Sequence, residues 1–188
     1  PRLGEFTALY PEIRIQLIVT DEELDLSMRE ADVAIRTRKP TQPDLIQRKL
    51  FTVHNHVYAS PEYVKQHGIP KSVEDLDRHR ILTFGQMPNY LDSLNWLETA
   101  GRPDGNPRPV ALRVNSAYGL RRAVQAGIGI ASIADYLVAP DMGLVQIDLP
   151  VETPEWDTYF VYPEELKDTK RVTVFRDFLV SKAKEWSF

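Results

Sequence analysis

Asp32-Val33-Ala34-Ile35-Arg36 and Leu120-Arg121-Arg122-Ala123-Val124-Gln125-Ala126-Gly127-Ile128-Gly129-Ile130-Ala131 are the two stretches on which the fold turns. The first is a short apolar strand that ends on a cation. The second is a helix that closes at a glycine and runs directly into a buried strand. Upstream of the first, Ile13, Ile15, Leu17 and Val19 alternate with Arg14 and Gln16, the period of two expected of a strand. Thr20 and Glu23 form a Thr-x-x-Glu capping box that opens a helix to about Arg29. Strand, helix and strand in so short a span predict a parallel pair joined by a crossover.

The rest of the chain continues the alternation. Leu3, Phe6, Leu9 and Tyr10 have helical spacing over 2–10, and Pro11 stops that helix. Residues 38–44 read as a loop and 45–59 as extended chain. Ser60-Pro61 supplies a cap and a first-turn proline for a short helix closed by Gly68 and Pro70. Another short helix runs from Ser72 to Leu76. Strands are predicted over 80–84, around Leu94 and Trp96, and over 110–114, 128–133, 144–149 and 158–162. Asn115 or Ser116 caps the helix that Gly127 ends, and 86–92 and 101–109 read as loop and turn. A closing helix over 171–186 presents Val172, Phe175, Phe178 and Leu179 on one face.

Composition narrows the function. The net charge of −4 argues against a segment that grips a phosphate backbone by itself. With no cysteine there is neither a disulfide framework nor a thiolate metal site, in keeping with a cytoplasmic protein. No apolar run is long enough to span a membrane. The chain starts at Pro1, without methionine, and reads as a piece of a longer protein.

Between the two deciding stretches stand Ala59-Ser60-Pro61-Glu62-Tyr63, Gly68-Ile69-Pro70, Asp75-Leu76 and His79. In this order the pieces resemble the effector-binding domain of LysR-type transcriptional regulators, over essentially the whole chain. The resemblance implies two Rossmann-like α/β lobes joined by two crossover strands, like the type 2 periplasmic binding proteins. Lobe I would comprise 1–59 and 137–188, and lobe II 60–136. Family domains open with a strand ahead of the first helix; it is missing here, which would leave neighbouring strand edges unpaired. A small metabolite would bind between the lobes, and DNA would be bound only by a separate winged helix-turn-helix absent from this chain. The resemblance also implies a homodimer or homotetramer. Its seam would draw on Leu3, Phe6, Leu9, Ile15 and Leu17 from one protomer and Leu120 and Val124 from the other, unless these residues face their own cores.

Arg36 is the sharpest single candidate. At the carboxyl end of a parallel strand, where open α/β sheets place ligands, its guanidinium can clamp a carboxylate through two hydrogen bonds. The plainer reading pairs it with Asp21 or Glu22. Thr20 and the helix it caps would point N–H groups toward the same anion, although Asp21, Glu22 and Glu23 in that first turn favour the plainer reading of a self-capped helix; Thr37, beside Arg36, is a further effector contact. In lobe II the effector contacts would be Phe84, Gly85, Asn115, Ser116 and Ile133, with Ser116 and Asn115 equally readable as helix caps and Phe84 as core. His54 and His56 share a strand face but find no third ligand, so no metal or other cofactor is expected. Gly127-x-Gly129 follows a helix and is no dinucleotide fingerprint. No nucleophile with a base and orienter is present, so no catalytic residue is expected.

Three classes compete on these grounds. The first is the effector domain of a LysR-type regulator, sensing a carboxylate. The second is a solute receptor of a transport system with the same two lobes. The third is an enzyme on that fold, such as a dehydratase, which would need a cleft acid or base.

Overall fold

A computed structural model describes residues 2–20, 23–39, 42–85, 89–103 and 105–185, with backbone alone at 89–91. The chain separates into two compact units, Pro1–Thr52 with Trp156–Phe188, and Val53–Glu155. These bounds differ from 59/60 and 136/137 because of how the strands pair. Strand β3 (Asn55–Ala59) is hydrogen-bonded on one side to β6 (Ala131–Ala134) and on the other to β7 (Val145–Ile147), so all three belong to the middle unit.

In the first unit, β1 (Ala34–Arg36), β8 (Trp156–Pro163) and β2 (Leu45–Val53) form a sheet in the order β1-β8-β2. Helices α1 (Leu3–Leu9) and α4 (Lys170–Lys184) supply its core. Phe6 packs with Phe160, Tyr162, Val172, Phe178 and Leu179, and its ring meets Phe175 edge-on with centroids 4.9 Å apart.

The expected strand at 13–19 does not form, and the described residues of 20–29 hold no helix. The described residues offer 13–19 no neighbouring strand, and β1 pairs antiparallel with β8 (Ile35 opposite Phe160) instead of parallel with 13–19. Without a ladder the segment lies extended, with Leu17 69% and Val19 89% exposed. Around 25–30 the backbone follows side chains rather than a helix. Asp25 Oδ1 accepts from the N–H groups of Ser27 and Met28, and Asp25 N–H donates to Glu30 Oε2 at 2.7 Å. Arg29 then adopts φ 60°, which a right-handed helix does not permit.

The second unit follows its sequence closely. Ser60 Oγ caps α2 (Pro61–His67) by accepting from Tyr63 N–H at 3.1 Å. Ser116 Oγ caps α3 (Ala117–Gln125) through Gly119 N–H. Gly127, at φ 74°, ends α3 in a conformation that side chains rarely adopt. Strands β4 (Ile81–Phe84) and β5 (Val110–Val114) run parallel, and Ile81 bridges onward to Ile130. Gly129 permits that approach: a Cβ there would stand 2.3 Å from Arg80 O. Because β3 alternates, Val57 and Ala59 enter one core with Tyr63, Leu76 and Ile130, while Tyr58 enters the other with Leu120, Val124 and Ile133. Residues Asn89–Glu98 form 3-10 turns, not the expected strand at 94–96. Asn95 explains this, since its side chain accepts from Phe84 N–H and donates to Phe84 O, leaving the segment bonded across a strand end.

Candidate functional site: a buried arginine and its cavity

The three-residue strand β1 exposes Ile35 and turns Arg36 inward, where only 7% of the residue meets solvent. Arg36 Nη2 donates to Leu24 O at 2.9 Å, which fixes the guanidinium plane against the 23–25 segment. Nη1 lies 2.7 Å from Glu23 Oε1, yet it is aimed so poorly that this buried nitrogen makes no hydrogen bond. The other oxygen of Glu23 pairs with Arg38 Nη2. A cavity of about 300 Å³ opens here, lined by Glu23, Asp25, Arg36, Arg38, Lys39 and Gln42 together with Leu24. Three cations and two carboxylates therefore face one small space. Chemically, a desolvated guanidinium beside a cavity is a group that can pair with a carboxylate.

The chain brings only some of the expected residues to this point. Thr37 follows Arg36 and is half-buried. Thr20 is exposed, and the described residues 23–30 that follow it hold no helix. Asp21 and Glu22, the expected partners of Arg36, lie outside the described residues; Glu23 holds that role. Sequence reasoning used Glu23 as a capping residue and missed it as a counter-ion. The basic run Arg36-x-Arg38-Lys39 set against the acidic 21–25 stretch was the available signal.

In the second unit, Phe84, Gly85, Asn115 and Ser116 meet at the carboxyl ends of the parallel pair, with Gly85 N–H donating to Val114 O at 3.1 Å. Ser116 is the cap of α3 and Asn115 is exposed. Phe84 packs half-buried beside Leu82 and Leu120. Ile133, 3% exposed, is core, so its side chain offers a ligand nothing.

The histidines are held separately. His54 Nδ1 faces Glu155 at 3.3 Å, and His56 Nδ1 lies 2.9 Å from both oxygens of Asp135. Tyr58 also donates to Asp135, and burial, with the charge of Asp135 second, pushes its phenol well above the usual range. Among the described residues no group of three or more His, Cys, Asp or Glu could hold a metal. His79 bonds Tyr63 Oη, which also accepts from Arg80 N–H, and burial lowers the imidazole pKa.

Of the residues expected at a seam, Phe6, Leu120 and Val124 are sealed in the cores of their own units at 0–1% exposure. This corrects the expectation for those three, because periodicity marks an apolar face without saying what covers it. Leu9, Ile15 and Leu17 are exposed, and Leu3 is half-buried.

The architecture is that of a mixed α/β protein, and comparison with known proteins places it. The family described as the LysR substrate binding domain matches residues 1–184. The chain belongs to that family. It is 32% identical over 187 residues to an HTH-type transcriptional regulator of Xanthomonas campestris pv. campestris, covering 97% of this chain and 54% of the relative. It is likewise 32% identical over 188 residues to the HTH-type transcriptional regulator CrgA of Neisseria meningitidis serogroup C, covering 97% of this chain and 61% of CrgA. The solved regulatory domain of Neisseria meningitidis CrgA superposes with a TM-score of 0.82 at 31% identity, covering 97% of this chain and 90% of that one. The chain thus spans little more than half the length of the two full-length regulators, 54% of one and 61% of the other. These likenesses support a regulator's effector domain over a transport receptor, and the relatives are named as regulators rather than as enzymes. No helix among the described residues is long and apolar enough to cross a membrane.

Proposed function

We propose that this domain senses a small carboxylate-bearing metabolite beside Arg36 and passes its occupancy to a DNA-binding module elsewhere in the full protein. Phe84, Gly85, Asn115 and Ser116 offer a separate contact edge within the second unit, and the working unit is a homodimer or homotetramer. The buried Arg36 guanidinium, with its unbonded Nη1 in a cavity of about 300 Å³, carries the reading. A ligand acts by binding one conformation of the domain better than another, and the shift in population is what the DNA-binding module reads.

The test is a thermal-shift screen of carboxylated metabolites on the full-length protein. A ligand at about 100 times its Kd adds ~2.7 kcal/mol. For a domain of this size that raises Tm by about 5–11 °C. Arg36→Ala should remove the rise for acids. A rise that Arg36→Ala leaves intact would overturn the reading.

A further inference from the structure

The Glu23 carboxylate sits where a ligand's acid group would have to sit. It lies 2.7 Å from Arg36 Nη1 with one oxygen and pairs with Arg38 Nη2 through the other, so it already bridges two guanidinium groups across the cavity mouth. Its side chain is partly exposed, at 29%, while that of Arg36 is 7% exposed, so the carboxylate comes from the solvent side and the cation from the interior. The two are unequally held. Arg36 is carried by a strand, whereas Glu23 stands on a segment without regular structure. The pairing is also imperfect, since Nη1 is buried and makes no hydrogen bond to the oxygen beside it. A buried cation stripped of its counter-charge is costly, and a misaligned carboxylate offsets that cost only in part. Two carboxylates cannot share one guanidinium edge without strong mutual repulsion.

We propose that Glu23 is a built-in competitor of the effector: its carboxylate occupies the Arg36–Arg38 clamp in the empty domain, and a carboxylate ligand binds by displacing it. Glu23 is then the residue that sets the affinity threshold and restricts the site to acids that align on Arg36 better than Glu23 does. Uncharged compounds gain nothing from the exchange, because they would leave Arg36 with Glu23 still in place. The inference rests on the Arg36 reading above and adds its regulation.

Acetate is the probe, since it is small enough that cavity shape does not decide the outcome, and acetamide is its uncharged control. Acetate binding to the full-length protein and every variant is followed by calorimetric titration, and in those that keep Arg36 its guanidinium 15N–1H resonances, assigned with Arg36→Lys, report contact at the clamp. Glu23→Gln keeps the size of the side chain and removes the competing charge. It should tighten acetate binding about tenfold or more and leave acetamide unchanged, with Arg36→Met added to Glu23→Gln abolishing the gain. Equal acetate affinity in wild type and Glu23→Gln, with Arg36→Met still eliminating binding, would overturn the competitor role and leave the Arg36 site standing. Acetate binding indifferent to Arg36→Met would overturn both. The melting temperature of Glu23→Gln checks that the fold is retained.

Discussion

Residues 13–36 and 110–134 carry the same promise in sequence: alternating apolar strand, capped helix, second strand. Only the second keeps it. There β5 pairs with β4, Ser116 caps α3, and Leu120, Ala123 and Val124 bury one helix face against Leu82 and Ile133. Among the described residues no strand lies beside Ile15 and Leu17, 23–30 hold no helix, and Glu23 is drawn instead to two arginines. Alternation therefore names a face but does not create a strand. The backbone groups need a neighbour, and a cap needs a helix whose apolar face has something to cover.

The contrast is sharpest for leucines. Leu120 is 1% exposed and Leu17 is 69% exposed, although both occupy the apolar phase of their patterns. Leu120→Ala should cost about 2–5 kcal/mol, from lost transfer energy plus a cavity. Leu17→Ala should stay within about 0.5 kcal/mol. Urea unfolding of the two variants measures both. A loss at Leu17 comparable to that at Leu120 would mean that the 13–19 segment is covered in solution, and the contrast would break.

A smaller effect tests the cap. Ser116→Ala removes the acceptor of Gly119 N–H at the start of α3 and should cost about 1 kcal/mol with reduced helicity. If Ser116→Ala instead weakens acid binding without lowering stability, the residue's main role is in the site and not in α3.

Much of the second unit was legible because its signals are local. Ser60-Pro61, Gly68, Ser116 and Gly127 each act on the four or five residues around them, and each does what its chemistry dictates. What was hidden depends on residues distant in sequence. The Arg36–Glu23 pair links a strand end to a loop. Arg108 stands in a stretch rich in Gly and Pro that reads as plain turn, yet it is 4% exposed and donates to Asp77 and to the carbonyls of Val73, Leu97 and Ala100. The 3-10 turns at 89–98 depend on Asn95 reaching Phe84, a contact that no periodicity announces.

The finest comparison sets one acid of each unit against the other. Asp77 is held below the usual carboxylate range first by its hydrogen bond from Arg102 and then by that from Arg108. Asp157, in the first unit, is lowered by Lys49 and then by Thr52. For both, the folded carboxyl has the lower pKa, so the folded state binds fewer protons than the unfolded chain in the acid range. Their stabilisation is complete above the unfolded aspartate value of about 3.9 and is lost as pH falls through the lower folded value. Both side chains are substantially exposed, so solvent screening keeps each contribution small. Arg102→Gln should move the Asp77 titration, read by carboxyl 13C shifts, back toward the ordinary range and leave Asp157 where it is. The residual depression at Asp77 would then report Arg108 alone, a buried guanidinium held by three carbonyls. If Asp77 returned fully to its ordinary value, Arg108 would be a structural clamp on those carbonyls with no electrostatic hold on the carboxylate beside it.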